Sequence, residues 1–168
     1  MHRQTAALAL TLALAAQPVA AAPAWTLGPD GFGPFRIGMS FDQARRIAGP
    51  RLQATAPGLL ASQACDQLAL PGHRGVALMF VDGTLRRIDV FKRGIRTSRG
   101  IAPGDPVRRA QRAYPGLLSE PNKYDERERY LSTRPAHGRA LRFETRTGRI
   151  DRIYAGDWSQ VQYTEGCL

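Results

Sequence analysis

Short runs of apolar residues, several alternating with polar ones, recur along this chain at the period of half-buried strands. They are Val76 to Val81, Leu85 to Phe91, Ala140 to Thr145 and Ile150 to Tyr154. Asp82-Gly83 separates the first two runs and Thr147-Gly148 the last two, and a residue followed by Gly between two such runs signals a hairpin turn. A final strand is expected from Ser159 to Thr164, with Val161 and Tyr163 on one face. Two other stretches follow the helical period. In the first, Ser40 serves as cap with Gln43 three residues on, Phe41, Ala44, Ile47 and Ala48 share a face, and Gly49 ends the helix. In the second, Asp105 is the expected cap and Pro106 the first helical residue. Val107, Ala110, Ala113 and Tyr114 turn inward, and Pro115-Gly116 closes the helix.

These elements recur in the same order. Phe35 to Gly49 aligns with Ile101 onward at an offset of 66, setting Gly38 against Gly104 and Ala44 against Ala110. Leu78 to Ile88 aligns with Phe143 to Ile153 at an offset of 65, setting Gly83 against Gly148, Leu85 against Ile150 and Ile88 against Ile153. Two matches in one order at nearly one offset indicate an internal repeat, with units at about residues 35–91 and 101–156. Helices this short need a sheet to pack on. The expected fold is therefore α+β: an antiparallel sheet with short helices packed on one face, built from two helix-plus-β-hairpin repeats. Leu117 to Gly138 stands outside this scheme and reads either as a binding loop or as a further strand containing Tyr130 and Leu131.

The N-terminus has a different pattern. His2 and Arg3 precede a run of Ala and Leu from Ala6 to Ala16, broken only by Thr11, and small residues follow. That is the form of a secretory signal peptide, residues 1–24, cut after Ala24 with Ala21 as the alternative. The apolar run is too short to span a bilayer, and no later run is longer. Neither cleavage position is near a cysteine, so no lipid anchor is expected. The mature chain would be a single α+β domain, residues 25–168, periplasmic or secreted. In an oxidising compartment, Cys65 and Cys167 are expected to form a disulfide.

Composition adds little beyond charge. There are 24 Lys+Arg against 14 Asp+Glu, a formal net charge of +10, and 22 of the 24 basic residues are Arg. The basic residues are dispersed rather than gathered in one tract. An exported basic protein would meet anionic envelope components or acidic protein surfaces, so no specific nucleic acid is expected as its ligand. The signatures of phosphate-loop proteins, serine hydrolases and zinc proteases are missing from the sequence. His73 and His137 fall in turn-like segments and read as surface histidines, so neither a metal nor a cofactor is expected. Among the carboxylates, Glu126/Glu128, Asp82/Asp89 and Glu144/Asp151 are possible pairs, but Asp82 suits a turn, and Glu144 alternates with Arg142 and Arg146 as a charged ladder would. No catalytic residue is assigned. Tyr and Arg dominate contact energies at protein interfaces. The candidate binding residues are therefore Tyr124, Arg127, Arg129 and Tyr130 from the 117–138 segment, with Arg87 and Arg142 from the strands.

The repeated Ile-Gly-Met-Ser type of helix start followed by a hairpin resembles the units of the β-lactamase-inhibitor-protein-like fold. It also resembles the small outer-membrane assembly lipoproteins of the SmpA/OmlA type. More closely, Phe80 to Gly83, Arg87 to Val90, Thr97, Gly100-Ile101, Gly104-Asp105, Lys123-Tyr124, Phe143 to Thr145 and the ending Tyr163-Thr164-Glu165-Gly166-Cys167 are similar to a group of small exported bacterial proteins of unassigned activity. The chain departs from the lipoprotein type in lacking the lipidated cysteine. The resemblance implies a protein-binding or inhibitory scaffold. A small periplasmic hydrolase with an unrecognised carboxylate site is the alternative.

Overall fold

The computed structural model describes residues 25–56 and 64–167, and the leader assigned to residues 1–24 lies outside that range. Seven strands form one antiparallel sheet in the order β4-β5-β6-β10-β9-β8-β7. These are β4 (Cys65–Ala69), β5 (Val76–Val81), β6 (Thr84–Val90), β7 (Leu118–Pro121), β8 (Arg129–Ser132), β9 (Arg139–Arg146) and β10 (Arg149–Asp157). Three two-residue strands, β1 (Leu27–Gly28), β2 (Gly31–Phe32) and β3 (Phe35–Arg36), make a separate small meander. The helices are α1 (Phe41–Ala48), α2 (Val107–Ala113) and α3 (Trp158–Val161). No helix among the described residues is long and apolar enough to cross a membrane.

The core lies on one face of the sheet. Leu78, Phe80, Leu85, Ile88, Val90, Leu131, Leu141, Phe143, Ile150 and Ile153 point to that face, where they meet Ala44 of α1, Ala110 of α2 and Leu27, Phe32 and Phe35 of the meander. Each large side chain buried here contributes roughly 1.5–3 kcal/mol, which fixes the register of the strands, since a one-residue slip would turn this row to the other face. The mixed α+β class and the antiparallel sheet agree with the sequence reading.

Each expected hairpin forms, and its turn has left-handed backbone at both central residues: φ is 48° at Asp82 and 68° at Gly83, and 48° at Thr147 and 72° at Gly148. This geometry matches the natural twist of paired strands. The segment before each helix is sewn to the hairpin that follows. Gly38 N–H donates to Leu85 O (2.8 Å), Leu85 N–H to Met39 O (2.8 Å) and Phe41 N–H to Gly83 O (2.8 Å). In the second half Gly104 N–H donates to Ile150 O (2.7 Å), Ile150 N–H to Asp105 O (2.9 Å) and Val107 N–H to Gly148 O (3.1 Å). Each hairpin also carries a register shift on its second strand, leaving Arg86 and Asp151 as the extra residues.

The structure departs from expectation in four places. The strand assigned to Ser159 to Thr164 does not form: α3 and a turn-rich tail occupy that segment. Both neighbours of β10 are already hydrogen-bonded to it, β6 on one side and β9 on the other, so no free strand edge adjoins the end of β10. Second, α2 begins one residue later than expected. Pro106, with ψ at 140°, is the cap residue and bridges Arg149, while the Asp105 carboxylate accepts from Ala102 N–H (2.9 Å). Third, the segment 117–138 supplies two strands, β7 and β8, where the strand alternative had one, and Tyr130 and Leu131 lie in the sheet as that alternative held. Fourth, the meander and β4 had no clear sequence pattern. The meander depends on Gly31, where a Cβ would lie 2.0 Å from Phe35 O. By contrast, the capping box at Ser40 and Gln43 forms as expected, with Ser40 N–H donating to Gln43 Oε1 at 2.8 Å.

Cys65 and Cys167 form a disulfide across a separation of 102 residues. It fastens the tail to the first strand of the sheet. Closing a loop of this length restrains the unfolded chain by on the order of 4–5 kcal/mol. A Cys65→Ala/Cys167→Ala double variant is expected to lose a stability of that order, measured as a fall in the urea midpoint against the oxidised protein.

Candidate functional site

Side chains on the opposite face of the sheet form a polar network beside a small apolar cluster of Ala140, Tyr154 and Val161 with Trp158, so α3 packs on this face and the helices do not all share one face as expected. Arg87, on β6, pairs in register with Met79 and Gly156, and Asp89 pairs with Ala77 and Tyr154. Tyr154 faces Arg142 on β9, which in turn faces Ser132 on β8, and Glu144 sits between Arg152 and Tyr130. Strand pairing therefore places three arginines, two carboxylates and two tyrosines on neighbouring positions. Gly156 allows the close approach of β10 to β6, because a Cβ there would lie 2.2 Å from Arg86 O.

At the centre, Arg87 is 1% exposed and Asp89 6%. Arg87 donates through Nε to Asp89 Oδ1 (2.7 Å) and through Nη2 to Asp89 Oδ2 (3.0 Å). Its Nη1 reaches the tail, donating to Gln160 O (2.9 Å) and Tyr163 O (2.7 Å). Gln67 on β4 also donates to Asp89 Oδ2. Burial pushes the Asp89 carboxyl above its ordinary range, against the opposing pull of Arg87 and Gln67. The Arg87 guanidinium also lies 4.9 Å from the centre of the Tyr154 ring. Tyr154 donates its hydroxyl to Glu144 Oε2 (2.5 Å). Burial, with this bond and the Glu144 charge, holds the phenol well above its ordinary pKa.

A second cluster adjoins the first. Arg142, 4% exposed, lies 4.2 Å over the Tyr130 ring and donates through Nη1 to Glu120 Oε2 (2.8 Å), Ser132 Oγ (3.3 Å) and Gln162 Oε1 (2.5 Å). Arg142 Nε and Gln162 Nε2 are buried and have no hydrogen-bond partner among the described residues. Beside this cluster the β7–β8 loop reaches solvent. Asn122, itself buried, accepts from Tyr124 N–H (2.8 Å). Tyr124 is 62% exposed and donates its hydroxyl to Glu165 of the tail, which also pairs with Lys123 at 3.0 Å. Asp125 and Arg127 form a two-bond pair, Nε to Oδ1 at 2.9 Å and Nη2 to Oδ2 at 2.8 Å, and these bonds lower the Asp125 carboxyl to about 2. Glu128 closes the loop by accepting from Thr145 Oγ1 (2.8 Å) and from Thr147 N–H.

The six candidate residues thus divide. Tyr124 and Arg127 are exposed on the β7–β8 loop, and Arg129 is exposed nearby, where its Nε donates to Ser119 Oγ at 3.1 Å. Strand alternation puts Arg129 on the opposite face from Tyr130. Arg87, Arg142 and Tyr130 are buried and held by partners within the protein, so they support the surface rather than form it. Glu144 does not form the expected ladder with Arg142 and Arg146, since its partners are Tyr154 and Asn122. Gln67, Tyr154 and Gln162 escaped the sequence reading, and Asp89, expected as a possible partner of Asp82, pairs with Arg87 instead. Only the spacing of Arg87 and Asp89, two apart on one strand, hinted at that pairing. His73 is partly buried, stacked on Trp25 with ring centres 4.2 Å apart, whereas His137 is exposed in its turn, with φ at 50°. No group of three or more His, Cys, Asp or Glu able to hold a metal ion occurs among the described residues. No family model, curated protein or solved structure matches the chain.

Two outcomes follow from the network. Asp89→Ala leaves a buried guanidinium without its counter-charge and is expected to cost about 3–5 kcal/mol in urea unfolding, whereas Arg87→Met/Asp89→Leu together should restore much of that loss. Tyr154 has its pKa raised in the folded state, so its contribution to stability is complete below about pH 10 and is lost as pH rises above the unfolded value. Above that pH, Tyr154→Phe should flatten the decline in stability by about 1.4 kcal/mol per pH unit, read from urea midpoints across an alkaline series.

Proposed function

We propose that the protein is an exported module of the bacterial envelope, periplasmic or secreted, that acts by binding or inhibiting another protein. The observation that carries this reading is the β7–β8 loop. It offers an exposed tyrosine, a lysine and an arginine on a backbone tied down at Asn122, Asp125 and Glu128 and backed by the tail through Glu165. Binding surfaces gain affinity when aromatic and arginine anchors are ordered beforehand, because less freedom is lost on association. The disulfide fits an oxidising compartment. The basic balance fits acidic partner surfaces or other anionic envelope components.

We also infer that the two halves are repeats of one helix-plus-hairpin unit. Support comes from the equivalent hydrogen bonds of Gly38 with Leu85 and of Gly104 with Ile150, and from the equivalent strand irregularities at Arg86 and Asp151. In such an arrangement the first unit and α2 serve as scaffold, and the β7–β8 insertion of the second unit carries the contact surface.

The test is capture from envelope extract with the oxidised protein at about 0.15 M and about 0.5 M salt, since contacts made by charge alone are largely screened at the higher value. A stoichiometric protein partner is expected to survive the higher salt. Tyr124→Ala should weaken its retention by about 2 kcal/mol, roughly 30-fold, with a smaller loss for Arg127→Ala and none for Arg45→Ala on α1. Capture that disappears at the higher salt, or is indifferent to Tyr124→Ala and Arg127→Ala, overturns the reading.

A further inference from the structure

We infer that the pocket between the β6–α2 connection and the tip of the β9–β10 hairpin binds the phosphoryl group of an organic phosphomonoester. The pocket has a volume of about 210 Å³ and is lined by Arg93, Gly104, Arg146, Arg149, Asp151 and Phe91, among others. That is smaller than sites for drug-sized ligands and suits one small charged group with part of what it is attached to. The inference rests on other residues than the Tyr124 surface and does not depend on the proposed protein partner.

Three arginines meet here by construction. Arg146 and Arg149 face each other across the hairpin tip. Arg149 donates through Nη1 to Gly104 O (2.9 Å), which draws it toward the β6–α2 connection. Arg93 comes from that connection and packs on Gly104 so closely that a Cβ there would lie 2.6 Å from its Nε. Gly104, with φ at 90°, therefore serves as the floor on which two guanidinium groups converge.

The charge of these arginines is uncompensated. Elsewhere several of the described arginines have carboxylate partners: Arg96 and Arg109 share Asp105, Arg127 pairs with Asp125, and Arg86 and Arg139 share Asp157. No described carboxylate pairs with Arg93, Arg146 or Arg149, and Asp151, the one acidic residue lining the pocket, pairs with Arg152 at 3.6 Å. The lining therefore carries a net positive charge, three guanidinium groups with a single carboxylate that already has a partner in Arg152, which suits a phosphomonoester dianion. Guanidinium forks bind the several oxygens of a phosphate by paired hydrogen bonds, more than a carboxylate can accept. At the rim, Phe91 is 52% exposed and supplies an apolar surface for the organic side of the ester.

The test uses the oxidised full chain at constant ionic strength, with amide and arginine side-chain NMR shifts as readout, on titration with inorganic phosphate, phenyl phosphate and chloride. Saturable shifts centred on Gly104, Thr147 and Gly148 are expected for both phosphates. Arg93→Ala and Arg146→Ala should each weaken binding about tenfold, and Arg45→Ala should leave it unchanged. Phe91→Ala should weaken phenyl phosphate and leave inorganic phosphate unaltered. Shifts that chloride reproduces, or that persist in both Arg93→Ala and Arg146→Ala, overturn the inference. Sedimentation with phosphatidylcholine vesicles, with and without phosphatidic acid, separates the sources of the ligand. Binding that needs phosphatidic acid and Arg93 assigns the phosphoryl group to a lipid headgroup, and saturable phenyl phosphate binding without vesicle binding assigns it to a soluble ester.

Discussion

The guanidinium of Arg87 is the point on which the polar face of the sheet depends. It sits on β6, next to the central β6–β10 pairing, where it is closed off from water, and a charge so placed is tolerated only when its donors are met. Asp89 meets two of them from the same strand, and the carbonyls of Gln160 and Tyr163 meet Nη1 from the tail. The tail is therefore part of the solvation of a buried charge. With both edges of β10 taken, the tail crosses the polar face, where it supplies half of the partners that Arg87 uses. The disulfide to β4 keeps the tail at that position, so one covalent bond and two hydrogen bonds from a buried guanidinium secure the same segment.

What the sequence disclosed and what it concealed follow from the range of the forces involved. Helix α1 was legible because its signals are local: Ser40 and Gln43 cap within four residues and Gly49 stops the chain. The hairpins were legible because Asp82-Gly83 and Thr147-Gly148 demand a left-handed turn whatever surrounds them. The cysteine pair needed only the inference of export. The two-residue strands of the meander carry no period to detect, and the end of the chain was misread because Val161 and Tyr163 alternate as strand residues do. There the deciding factor was whether β10 had a free edge, a property of the sheet and not of the segment.

The candidate residues show the same division. Arg87, Arg142 and Tyr130 were chosen for their chemistry, and that chemistry is used, but inward: each arginine stacks on a tyrosine and bonds to the tail or to its neighbours. Alternation places a residue on a face without revealing whether another segment covers that face. Tyr124 and Arg127 stay exposed because the loop carrying them joins β7, an edge strand, to its neighbour. Glu144 was visible as a carboxylate but assigned the wrong partners, and Tyr154 was not singled out, because their bond to each other runs between strands that adjacent sequence does not relate.

These contacts link the interior to the surface by a short physical route. The disulfide fixes the tail, the tail carries Gln162 to Arg142 and Glu165 to Lys123 and Tyr124, and Arg142 stacks on Tyr130 at the start of the strand that follows the loop. Any loosening of the tail removes partners from a buried arginine and from the exposed tyrosine together. The orphaned Nε of Arg142 and Nε2 of Gln162 mark where this coupling is least complete. The arginine pocket at the β9–β10 tip is connected differently, through Glu128, which accepts from Thr147 N–H and Thr145 Oγ1 while ending the β7–β8 loop. The hairpin tip and the end of the loop are therefore tied to each other by one carboxylate, which satisfies Thr147 N–H and Thr145 Oγ1 together.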